Sequence, residues 1–192
     1  MLQNFTLGAF SQGVSGGGGA FESIASATGT GSNASITFSA IPITYQHLQI
    51  RFVAKNTTAA SDASFAQMAI NGSTTASNYA YHELYGNGTT VSASGASNTI
   101  PYYGTVVRNN ATSIVGVGII DIHNYASTTQ NKTIRIFTGN DRNGSGDLLL
   151  WSGLYNSTSA ITSLTFYANL TSSTTTYFTT ATEFALYGIK GA

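Results

Sequence analysis

Charge is what this chain has least of: seven Lys and Arg and seven Asp and Glu in 192 residues, 7% in all, against roughly 25% in an ordinary soluble domain. A net charge of zero excludes a phosphate-neutralising surface and a polybasic membrane anchor, so neither nucleic acid nor a membrane is an expected partner. Cysteine is absent, which removes disulfides and thiolate metal sites and leaves the redox compartment unassigned. No stretch approaches the ~18 apolar residues of a membrane-spanning helix, and the opening Met-Leu-Gln-Asn-Phe-Thr-Leu-Gly has neither the basic region nor the apolar run of a signal peptide. The chain reads as soluble and leaderless. The strong helix formers Glu, Lys and Arg are scarce, and there are only two prolines, Pro42 and Pro101.

Small polar side chains take the place of charge. The sequence holds 28 Thr, 23 Ser and 15 Asn beside 21 Gly, yet 42% is hydrophobic and 11% aromatic, enough to build a core rather than stay disordered. Thr, Tyr, Phe, Ile and Val favour the pleated, half-buried surface of a sheet. The clearest strand is 45–54, where Leu48, Ile50, Phe52 and Ala54 alternate with His47, Gln49 and Arg51, placing one set on a core and the other on solvent or a partner. Similar runs occur at 24–28, 35–39, 65–70, 79–85, 100–107, 114–122, 133–138, 148–155, 161–168 and 182–189, about ten strands in all. Asn71-Gly72, Asn87-Gly88 and Asn143-Gly144 are expected to supply tight hairpins. Each proline stands beside an Ile near the expected start of a strand, where a missing N–H does least damage. With no amphipathic helix between the strands and no fixed repeat, the expected fold is all-β: a jelly-roll-like antiparallel β-sandwich over 21–192.

Residues 1–20 differ in kind. The run Gly16 to Gly19 reads as a flexible linker, and ahead of it Leu2, Phe5, Leu7 and Phe10 make a short apolar arm. Two readings stay open: the arm docks on a neighbouring copy or another protein, or it is a first strand on its own sheet.

Catalytic patterns are missing. Asp121 and His123 share a face of a strand, whereas His82 and Glu83 point apart; neither pair has a metal-ligand spacing around it, and a structural or interface role is favoured for His47, His82 and His123. Glu22, Asp62, Glu83, Asp121, Asp141, Asp147 and Glu183 offer carboxylates to a glycosidase, but no motif selects a pair. No G-x-S-x-G elbow occurs, and no Lys-Ser/Thr follows the glycine run. Between Asp141 and Asp147 two acids and backbone carbonyls could hold Ca²⁺, but the ligand register is incomplete and a hairpin connection is preferred. Asn-x-Ser/Thr triplets at Asn4, Asn33, Asn56, Asn71, Asn87, Asn110, Asn131, Asn143, Asn156 and Asn169 are read as a by-product of composition. The eleven Tyr and Trp151 are read as packing residues rather than a sugar-stacking platform. No enzyme activity, metal or cofactor is expected.

Three segments carry a family resemblance: 38–52 (Phe-Ser-Ala-Ile-Pro-Ile-Thr-Tyr-Gln-His-Leu-Gln-Ile-Arg-Phe), 78–86 (Asn-Tyr-Ala-Tyr-His-Glu-Leu-Tyr-Gly) and 184–190 (Phe-Ala-Leu-Tyr-Gly-Ile-Lys). Together they resemble small virion proteins of tailed bacteriophages, common among cyanophages, and the likeness runs over most of 21–190. It implies a particle component, and the jelly roll is common among capsid cement proteins. A charge-poor β-domain can also pack against its own copies without like-charge repulsion. The expectation is therefore a homotrimer on the outer head surface, stapling major capsid protein at three-fold points, since a three-fold binder matches such a site. The arm residues Leu2, Phe5, Leu7 and Phe10 are the expected capsid contacts, and Tyr102 and Tyr103 the candidates for the subunit seam. The alternative is a tail or fibre module that adsorbs to host-surface glycan.

Overall fold

The computed structural model describes residues 19–58, 63–99, 102–108, 113–170 and 176–191, with the side chains of Ala63, Tyr102 and Tyr103 outside that description. Twelve strands fall within it: β1 (Phe21–Thr28), β2 (Ser35–Phe38), β3 (His47–Ala54), β4 (Ala63–Ile70), β5 (Tyr79–Gly86), β6 (Val91–Ser97), β7 (Tyr102–Val107), β8 (Gly116–His123), β9 (Lys132–Asp141), β10 (Gly146–Tyr155), β11 (Leu164–Tyr167) and β12 (Glu183–Ile189). One 3₁₀ turn, Ala76–Asn78, precedes β5. The strands form an eight-stranded sheet in the order β1-β12-β3-β8-β9-β10-β5-β6 and a four-stranded sheet in the order β2-β11-β4-β7, with antiparallel pairing between neighbours. This is an all-β, two-sheet sandwich. Its eight-plus-four division is larger and more lopsided than the eight strands of a regular jelly roll.

Alternation decides which side of each strand is buried. In β3, Leu48, Ile50, Phe52 and Ala54 are buried as their spacing predicts, and Ile134, Ile136 and Thr138 of β9 do the same beside them. From the small sheet, Ile36, Phe38, Leu164 and Phe166 face them. An aromatic stack joins the layers: the Phe184 ring lies 4.7 Å from Phe166 and 5.5 Å from Phe52, nearly parallel to both, with Phe178 edge-on at 5.5 Å. Glycine at 118 leaves room for this stack, since a Cβ there would sit 2.5 Å from the Phe52 ring.

Not every expected element takes the expected place. Strand β6, Val-Ser-Ala-Ser-Gly-Ala-Ser, has one large apolar residue, so periodicity gives no hint of it; pairing with β5 alone makes it a strand, and all seven residues are exposed because the small sheet does not reach it. Asn143-Gly144 makes the β9–β10 turn with both residues left-handed (φ 57° and 102°) and the Arg142 N–H donating to the Ser145 carbonyl at 2.6 Å. In the β5–β6 hairpin only Gly88 is left-handed, and the Asn87 carboxamide oxygen accepts from the Thr89 and Thr90 N–H groups instead. Asn71-Gly72 is a left-handed pair too, but it turns β4 into the 3₁₀ segment and forms no hairpin with β5. Pro42 stands in the β2–β3 connection, its carbonyl taken by the Tyr125 hydroxyl, and β3 starts five residues later; Pro101 lies outside the described residues.

Lys132 is the least expected core residue. Fully buried at the start of β9, its ammonium donates to the carbonyls of Ser127 and Gln130 at 2.7 Å and of Thr158 at 3.2 Å, tying the β8–β9 connection to the segment after β10. Burial lowers its pKa from the usual lysine value.

Candidate functional site

The face of the eight-stranded sheet turned away from the small sheet holds the chain's most unusual chemistry. A strand covered on one side alternates apolar and polar residues; strands carrying consecutive apolar residues have apolar chemistry on both sides. β8 contains Ile119-Ile120 and β10 contains Leu148-Leu149-Leu150, and both runs put large side chains outward as well as inward. The register sets them side by side. Ile119, Phe137, Leu150 and Leu84 lie directly opposite one another across β8, β9, β10 and β5, and the next row holds Val53, Val117, Gly139, Leu148, Gly86 and Val91. Phe137 is 53% exposed and Leu148 54%.

The glycines in the second row make it lower than the first. A groove of about 1120 Å³ runs there, walled by the Asn87-Gly88 and Gly144-Ser145 turns and floored in part by Val117, Phe137 and Leu148. The far side of the apolar block is polar: Gln49, Asp121, Arg135, Ser152 and His82 follow one another across β3, β8, β9, β10 and β5.

Within that polar row Asp121 accepts a hydrogen bond from the Gln49 amide at 2.8 Å, and the Arg135 guanidinium donates to the Ser152 hydroxyl. His123 shares the outward face with Asp121 as the spacing requires, and it packs edge-on against His47, ring centres 5.0 Å apart. The Asn124 N–H donates to His47 Nδ1. Burial, helped by the neighbouring His123, lowers the His47 pKa from its ordinary value against the opposing pull of Asp121. His82 and Glu83 point apart, Glu83 accepting from the Ser94 hydroxyl at 2.6 Å.

Three of the remaining acids, Glu22, Asp141 and Asp147, are each engaged by neighbours, and Glu183 stands exposed at the start of β12. Glu22 pairs with Lys190 at 2.6 Å and accepts from the Tyr45 hydroxyl at 2.9 Å, which together hold its pKa down. Asp141 accepts from the Asn143 N–H inside its turn. Asp147 meets Arg142 at 2.8 Å, Asn140 at 3.2 Å and the Tyr85 hydroxyl at 2.6 Å. The segment weighed for Ca²⁺ is thus the β9–β10 hairpin, with both Asp147 oxygens already accepting. Among the described residues no three His, Cys, Asp or Glu side chains gather where a metal ion could be held. Asp62 lies outside the described residues.

The arm residues Leu2, Phe5, Leu7 and Phe10 also lie outside the described residues. Tyr102 and Tyr103 open β7 at the edge of the four-stranded sheet, beside a register shift against β4, and their side chains are outside the description. Asn56, one of the Asn-x-Ser/Thr positions, is fully buried with its amide donating to the Ser64 hydroxyl, so that triplet has no access to a modifying enzyme. The outward apolar block went unassigned in the sequence, although its signal was present in the unbroken apolar runs of β8 and β10. Compared with protein-family models, with curated proteins and with solved structures, the chain matches none.

Proposed function

We propose that this chain is a structural protein of a tailed-bacteriophage virion: a cement or decoration protein that sits on the outer head surface as a homotrimer and holds capsomer junctions together. The observation that carries the reading is the outward apolar face, Val53, Val117, Ile119, Phe137, Leu148, Leu150 and Leu84 side by side on a sheet with no further layer over it among the described residues. Monomers seldom expose contiguous apolar patches larger than a few hundred Å², and larger ones mark contact surfaces. The resemblance of 38–52, 78–86 and 184–190 to phage virion proteins gives those contacts a setting, and on this reading the sandwich is an enlarged jelly roll. The arm residues Leu2, Phe5, Leu7 and Phe10 reach the major capsid protein. The molecule works by shape, with no cofactor and no reaction. Three-fold symmetry lets one trimer engage three equivalent capsid surfaces at once.

Mixing the purified chain with phage heads that lack it, then sedimenting the heads, tests the reading. Saturable co-sedimentation, lost on removing residues 1–15 while the remainder still folds, supports it. Chain that stays in the supernatant at micromolar concentration and binds host lipopolysaccharide instead would overturn it in favour of a tail module.

A further inference from the structure

We infer that the outward face of the eight-stranded sheet is where a second copy of this chain docks. The inference deepens the assembly reading above by naming its surface, and it rests on that reading only for the claim that copies associate. Size and layout mark the face as a protein contact, and charge selects another copy as its occupant.

The first is size. Eight strands about 4.8 Å apart and roughly eight residues long at about 3.3 Å per residue present a face of about 900 Å², close to the ~800 Å² that each partner contributes to a standard stable interface.

The second is layout. Ile119, Phe137, Leu150 and Leu84 form an unbroken apolar centre, and polar groups border it: Arg135, Asp121 and Ser152 along one side, Glu183 and Arg51 at another. An apolar centre with a polar border is the anatomy of a protein–protein contact.

The third is charge. The border offers two arginines, Arg51 and Arg135, and three acids, Asp121, Glu183 and the Asp141 that lines the groove, so it carries both signs and little net charge. A strongly acidic or basic partner gains little from such a border, whereas a second copy brings both signs and can set its arginines against these acids. The row lowered by Gly139 and Gly86 lies beside the ridge from Ile119 to Leu84, so the ridge of one copy has a groove in the other to enter. This contact is built on different strands from Tyr102 and Tyr103.

Light scattering on the size-fractionated full chain, compared with Phe137→Asp and Phe137→Leu, decides the matter. Phe137 is half exposed in the single chain, so Phe137→Asp should leave the circular dichroism spectrum intact while raising the dissociation constant of the oligomer about 30-fold or more, as a central interface residue does. Phe137→Leu should retain the oligomer. A wild-type chain that is monomeric, or an oligomer that survives Phe137→Asp, would overturn the inference. A monomer that oligomerises only after residues 1–18 are removed also overturns it, because the chain's own arm then covers the face. The virion reading is judged separately: an oligomer that ignores phage heads leaves this contact standing and removes the function, whereas a monomer that binds heads does the reverse. A wild-type mass of two chains supports the contact and displaces the three-fold placement.

Discussion

The two outward faces of the sandwich are built from different chemistry. On the four-stranded sheet, β2 and β11 alternate strictly: Ile36, Phe38, Leu164 and Phe166 go to the core, while Ser35, Thr37, Thr165 and Tyr167 go outward, with the Thr37 and Thr165 hydroxyls 3.0 Å apart across the strands. On the eight-stranded sheet, β8, β9 and β10 send Ile, Phe and Leu both ways. Hydroxyl-bearing side chains suit a solvated face, because water can satisfy them wherever a protein partner does not. Apolar side chains gathered on one outward face are kept out of water only if something covers them. The difference is what the proposed contact rests on, and charge contributes little because neither face has much of it.

The largest effect that tests this contrast uses one residue type on the two sides of the same sheet. Phe184 is fully buried at the centre of the aromatic stack and Phe137 is half exposed on the outward face. Phe184→Ala should lower unfolding stability by about 3–5 kcal/mol through lost burial and a cavity between the sheets. Phe137→Ala should change the stability of the dissociated chain by no more than about 0.5 kcal/mol. Urea unfolding at a concentration low enough to keep the chain monomeric measures both. Equal losses would mean that the outward face is already covered within the single chain, and the contrast between the faces would fall.

Much of this is legible in the sequence. Alternation in β3 revealed its buried side and its end, though it placed the start two residues early, because His47, Gln49 and Arg51 alternate with Leu48, Ile50, Phe52 and Ala54. β6 was illegible for the opposite reason: Val91 is its only large apolar residue, and it is a strand because β5 offers it hydrogen bonds, which is a property of the partner rather than of the segment. The outward apolar block lay between these cases. Leu148-Leu149-Leu150 is readable as a strand, but a run apolar on both faces is equally a strand buried between two layers. Only the sheet order, which leaves no third layer over β10 among the described residues, shows that Leu148 and Leu150 face outward instead of into a second core. Lys132 was invisible because a lone basic residue at a strand start is normally solvated, and its three carbonyl acceptors come from segments that periodicity does not describe.

A smaller effect is expected where the apolar face meets its polar wall. Burial would raise the pKa of Asp147, but the hydrogen bonds from Tyr85, Arg142 and Asn140 outweigh it and the net direction is down. A carboxylate whose folded pKa lies below its unfolded value of about 3.9 binds fewer protons when folded. It therefore contributes stability above that pH, and the contribution fades as the pH falls toward the folded value. Asp147→Asn should cost about 1–3 kcal/mol at pH 7, with the gap from the unmodified chain narrowing below about pH 4. Denaturant titrations at pH 7 and pH 3 measure this, and a gap of constant size would show that the charge of Asp147 is not what secures the hairpin beside Leu148.

The smallest effect belongs to the other face, and it sharpens the comparison most directly. Thr37 and Thr165 are directly opposite in the β2–β11 register, and their hydroxyls bond to each other while exposed to water. Water replaces a lost partner there, so Thr37→Val and Thr165→Val should each shift stability by about 0.5 kcal/mol or less, and a double-mutant cycle should return a coupling of roughly 0.2–1 kcal/mol. Neither change should alter the oligomer mass. An effect on assembly comparable to that of Phe137→Asp would mean that the hydroxyl face also joins copies, so that contacts between chains are spread around the molecule instead of being confined to the sheet face that only apolar side chains occupy at its centre.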